Sequence, residues 1–109
     1  MIDRLKTIRD LLLTVSDHVY HFQAPEGLRT PPEYIVWQEE SECDRLLGDG
    51  DKNERRIQGS IDLFTLTEYS PLLNRIEQAF KDADIYIECT GTGYEDESGL
   101  IHYEWVWRI

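Results

Sequence analysis

Residues 100–109 read Leu-Ile-His-Tyr-Glu-Trp-Val-Trp-Arg-Ile. Alternation places Ile101, Tyr103, Trp105, Trp107 and Ile109 on one face and Leu100, His102, Glu104, Val106 and Arg108 on the other, the period of two that marks a half-buried strand. Each large aromatic ring withdraws roughly 150 to 250 Å² from water when it packs. Two tryptophans on one face therefore need a cover, and the rest of the chain has to supply it.

Two helical stretches can do so. Ile2, Leu5, Ile8, Leu12, Val15 and Val19 recur at spacings of three and four, which predicts one amphipathic helix of about 20 residues. Ser70-Pro71 is a helix start, with serine as N-cap and proline at the first helical position; Leu72, Leu73, Ile76, Ala79, Phe80 and Ala83 then form an apolar stripe. Between the helices, Pro25, Gly27, Pro31 and Pro32 mark a loop, and a strand is expected over residues 34–42. A longer one follows over residues 56–68, alternating Ile57, Gly59, Ile61, Leu63 and Thr65 against Gln58, Ser60, Asp62, Phe64 and Leu66. Apolar residues on both of its faces near Leu63 predict a central position, and Gly59 suggests a bulge or a close approach. Ile85, Ile87 and Cys89 mark another strand, and Gly91, Gly93, Glu95-Asp96-Glu97 and Gly99 a connecting loop before the last one.

The expected order is α-β-β-α-β-β. This is an α+β domain spanning residues 1–109, with a four-stranded, mainly antiparallel sheet and two helices on one face. At 109 residues there is room for one core and not for two. Such a sheet leaves two edges to be covered or used.

Composition narrows the function. Twenty-two acidic residues against eleven basic ones give a net charge of −11, which argues against gripping nucleic acid through its phosphates. No run reaches the roughly 18 apolar residues of a membrane helix. Met1-Ile2-Asp3-Arg4 lacks the order of a signal peptide, so a protein kept inside the cell is expected. Cys43 and Cys89 stand far apart with no metal-ligand spacing around them, which favours two free thiols.

Several residue sets suggest chemistry without completing it. His18 and His21 would share a helix face at i,i+3, but no third metal ligand is placed by spacing, and two surface histidines by a helix end are expected. Asp49, Asp51 and Asn53 match the first, third and fifth places of a calcium loop. Glu54 stands where glycine is needed and Ser60 where a bidentate glutamate is needed, so an acidic hairpin loop is the expectation for residues 43–55. Asp62, His102 and Glu104 form an acid/base set if their strands are neighbours, with His102 and Glu104 as the expected hydrogen-bonded pair. Nothing in the sequence adds a nucleophile or an oxyanion site, and there is no GxSxG, P-loop, GxGxxG or HExxH motif. No enzyme and no cofactor are expected.

Three segments carry a resemblance: residues 32–42 (Pro-Glu-Tyr-Ile-Val-Trp-Gln-Glu-Glu-Ser-Glu), 58–65 (Gln-Gly-Ser-Ile-Asp-Leu-Phe-Thr) and 94–107 (Tyr-Glu-Asp-Glu-Ser-Gly-Leu-Ile-His-Tyr-Glu-Trp-Val-Trp). In these the chain resembles a family of small siphophage and prophage proteins of Gram-positive hosts, similar to tail terminator or tail completion proteins. The resemblance implies an assembly role in head-tail joining. The subunit would form a ring, a hexamer being one option, on the tail tube and meet the tube and head-connector proteins. It would reside in the host cytoplasm during assembly and afterwards in the virion tail. The two acidic loops, with Asp49, Asp51, Lys52, Glu54, Glu95, Asp96 and Glu97, are the expected interface or channel lining, and the acidic composition would let DNA pass a lumen without specific binding. The alternative is an acidic cytosolic adaptor or inhibitor that mimics DNA in a basic groove; a small enzyme built on Asp62, His102 and Glu104 is the weakest reading.

Overall fold

The computed structural model describes residues 2–24, 33–40, 57–96 and 98–109. In chain order these form α1 (Ile2–Leu13), β1 (Val19–His21), β2 (Glu33–Glu40), β3 (Gln58–Thr65), α2 (Pro71–Asp82), β4 (Tyr86–Glu95) and β5 (Leu100–Arg108). The strands make one five-stranded mixed sheet in the order β1-β2-β3-β5-β4. β1 runs parallel to β2, and the other neighbours are antiparallel.

The expected four-stranded, mainly antiparallel sheet is therefore wrong by one strand, and the missing strand was hidden in the first helix. That helix has 12 residues rather than about 20. Its last turn tightens as Val15 N–H bonds the Leu12 carbonyl at 2.9 Å and the Thr14 hydroxyl donates to the Leu11 carbonyl at 2.6 Å. Ser16 Oγ then accepts from the His18 N–H at 3.1 Å, a local turn bond that competes with the helix. Beyond it Val19 and Tyr20, both strand formers, pair with Ile35 and Val36. The second helix begins as expected: Ser70 Oγ accepts from the Leu72 N–H at 3.2 Å, and Pro71 opens the helix.

β3 occupies the centre, and its Gly59, Ile61, Leu63 and Thr65 are all buried. On the same face β2 contributes Ile35 and Trp37, and β5 contributes Trp105 and Trp107. Ile8 and Leu12 of α1 and Leu72, Ile76 and Phe80 of α2 complete this core. Both helices thus lie on the tryptophan face. Trp105 and Trp107 are 1% and 0% exposed, and each burial is worth roughly 4 to 6 kcal/mol before entropy is charged against it. The Trp105 indole N–H donates to Glu77 of α2 at 3.0 Å, and that of Trp107 to the Ser60 carbonyl at 3.2 Å.

Gly59 is a close approach, not a bulge: it pairs with Glu39 and Trp107 in unbroken register. A Cβ built there would stand 2.2 Å from the Gln38 carbonyl oxygen and 2.2 Å from the Trp107 ring. The irregularity lies instead in β4, where the register shifts between Cys89 and Gly91. This strand also continues to Glu95, through the glycines expected to form a loop.

Gly59→Ala forces a methyl group into both backbone and indole. It is expected to destabilise the protein by about 3 kcal/mol, at the upper end of overpacking costs, read as a lower urea midpoint with an unchanged slope.

Candidate functional site

The sheet face opposite the helices carries the expected acid/base set. Asp62 on β3 and Glu104 on β5 are directly opposite, and His102 faces Phe64 one step along. His102 pairs with Asp62, not with Glu104: its Nε2 lies 2.7 Å from Asp62 Oδ1. The orientation comes from stacking. The imidazole lies on the Phe64 ring at 4.5 Å and 11°, Phe64 lies on Tyr34 at 4.8 Å and 16°, and Tyr20 meets Tyr34 edge-on at 6.3 Å. Glu104 instead receives the Thr90 hydroxyl at 3.4 Å.

A proton on Nε2 would complete a hydrogen bond to this carboxylate. Among the described residues, no hydroxyl or thiol hydrogen-bonds the imidazole. The pair is an ordered cross-strand contact held by its ring stack. The aromatic row is equally committed. Phe64 stacks on both Tyr34 and His102, and the Asp62 and Glu104 carboxylates beside it would repel phosphates.

A second imidazole–carboxylate pair, unforeseen in the sequence, lies on the helix face. His21 Nε2 is 2.6 Å from Glu39 Oε1, and the ring is sandwiched between Phe22 at 4.0 Å and Trp37 at 4.1 Å. The available signal was Val19-Tyr20-His21-Phe22, a run richer in strand formers than in helix formers. Because His21 sits on a strand, the helical His18/His21 pairing does not arise, and no group of three or more metal-ligating side chains gathers among the described residues. Beside His21 is a recess of about 280 Å³ lined by Ile2, Leu5, Lys6, Arg9, Val19 and Trp37.

Of the expected interface residues, Glu95 ends β4 and Asp96 follows it in the turn to β5; both are exposed. The turn is braced by the Gly99 N–H on the Glu95 carbonyl at 2.8 Å and by the Ser98 hydroxyl on Glu95 Oε1 at 2.9 Å. Asp49, Asp51, Lys52, Glu54 and Glu97 lie outside the described residues, as do Cys43 and the calcium-like loop. Cys89 is an exposed free thiol on β4. No helix among the described residues is long and apolar enough to cross a membrane. No protein-family model matches the chain, and no curated protein matches its sequence.

Burial, and after it the charge of Glu95, holds the Tyr34 phenol above its ordinary value of 10. A raised value means the folded state holds this proton more tightly. The associated stability is complete below pH 10 and is lost as pH climbs through the folded value. Glu95→Gln is expected to lower the Tyr34 value towards 10 without reaching it, since burial is the larger cause; NMR titration of the labelled ring measures this.

Proposed function

We propose that this chain is a bacteriophage structural assembly protein, a tail terminator or head-tail joining subunit that forms a ring on the tail tube. The observation that carries the reading is the sheet's arrangement. Central strands bury the tryptophans, while a ten-residue strand, β4, lies at one border and a three-residue strand, β1, at the other. The phage-like segments, residues 32–42, 58–65 and 94–107, run through β2, β3 and β5, and the third also takes in the end of β4. The titratable pairs are held in stacks, and the two borders are edges that a neighbouring subunit could use. A subunit with two different borders suits the head-to-tail contacts of a ring, and a net charge of −11 suits a channel through which DNA passes without adhering.

In this reading the partners are copies of the chain, the tail tube and the head connector. The protein acts in the host cytoplasm during assembly and then in the virion tail, with no cofactor. The acidic tip formed by Glu95 and Asp96 favours a second reading, an inhibitor that enters a basic groove. That protein would act as a monomer and would leave tails unaffected.

Electron microscopy of particles made without this protein tests the proposal. Overlong tails, or tails without heads, are the expected result; tails of normal length joined to heads would overturn it.

A further inference from the structure

The two borders of the sheet differ in length and in which charged side chains stand beside an apolar recess. α1 packs against β1 and α2 against β4, so each helix marks one flank. On the α1 flank, Lys6 and Arg9 stand one turn apart on the stripe that lines the 280 Å³ recess. Glu39 nearby is already paired with His21. Arg9 shares Asp10 at 3.0 Å in a well-exposed contact of the kind that contributes little. Lys6 has no ion-pair partner among the described residues. On the β4 flank, Glu88, Glu95 and Asp96 are exposed along the outermost strand and its turn, and between them Tyr94 is 64% exposed.

Pairing of β4 with its own copy is disfavoured. Its register breaks between Cys89 and Gly91, and an irregular edge with a glutamate on each side of the break is a poor template for a second strand. The complementary surface is on the other flank of the same molecule. We infer that the acidic β4 border of one copy docks against the α1–β1 flank of a second, with Lys6 and Arg9 facing Glu95 and Asp96 and the Tyr94 ring entering the recess beside Trp37. An exposed tyrosine seated in a mostly apolar recess is the kind of anchor that dominates an interface. The contact is heterologous, so each copy offers its free flank to the next, and the chain of copies closes where the rotation allows. This rests on the assembly reading above and names the surface that would join the ring.

Zero-length carbodiimide coupling of the full chain, mixed in light and heavy isotope forms, tests the inference. Within one molecule, β1 and β4 are four strand spacings apart, about 19 Å, too far for Lys6 to couple directly to the β4 carboxylates. The expected products are peptides carrying one light and one heavy label that join Lys6 to Glu95 or Asp96. Their yield should drop several-fold in Arg9→Glu and in Tyr94→Ala, both surface changes checked for folding by circular dichroism. Arg9→Glu mixed with Glu95→Arg should recover it. Absence of mixed-label Lys6 links, or a yield indifferent to Tyr94→Ala, overturns the inference. Overlong tails without the protein, together with no such links, would leave the assembly reading standing and this surface refuted. Links together with normal tails would do the reverse.

Discussion

Trp107 lies over Gly59, and the two centre strands depend on that contact. The missing side chain on β3 is the space in which the indole of β5 rests, with its N–H returned to the Ser60 carbonyl. No other residue fits beneath the ring, because a methyl group would also meet the Gln38 carbonyl of β2. One glycine therefore lets three strands approach one another. A one-residue slip of β5 would turn both tryptophans onto the opposite face. Once the register is held, Ile61 meets Trp105 and the covered face presents a continuous apolar floor to the two helices.

The same register orders the opposite face. With Gly59 opposite Trp107, Asp62 must face Glu104 and Phe64 must face His102. Two carboxylates directly opposed would repel; His102, placed one step away and held by its stack on Phe64, reaches Asp62 instead, and Thr90 serves Glu104. The aromatic row gives a face with no helix upon it, among the described residues, a means of staying ordered. Its rings stack on one another, beside a recess of about 280 Å³ bordered by Tyr34, Val36, Asp62 and Phe64. At the sheet's end, Glu33 of β2 receives hydroxyls from Thr65 and from Ser70, whose own oxygen caps α2. Sheet register and helix start are thereby connected through one carboxylate.

Much of this was legible in the residues, for identifiable reasons. Alternation in 100–109 and in 57–65 is strict, and the burial of Trp105, Trp107, Ile61 and Leu63 follows it. Ser70-Pro71 is a local signal and needed no tertiary information. Val19 was misread because it falls four residues after Val15: helical spacing and a strand's inward position coincided on one residue. β4 was cut short because glycine normally weakens a strand, yet Gly91 and Gly93 pair with Glu104 and His102. The partner of His102 depended on which strands are neighbours and on a ring stack, and neither is written in i,i+2 spacing. The recess beside His21 required β1, so it was invisible for as long as Val19 was assigned to the helix.

The borders follow from what the centre consumes. A sheet edge is a hazard unless it is short, charged or irregular, and the two edges here are protected differently. β1 is limited to three residues. β4 is long, but its register breaks between Cys89 and Gly91, and glutamates stand on either side of that break. A bulged strand carrying like charges is a poor template for an arbitrary strand, so main-chain pairing alone will not hold a neighbour there. Recognition at this border must come from side chains, and those available are carboxylates and an exposed tyrosine. A surface of that composition is repelled by acidic partners, nucleic acid among them, and is complemented by basic groups beside an apolar recess. The residues that protect this edge are therefore the same ones that a neighbour would have to meet.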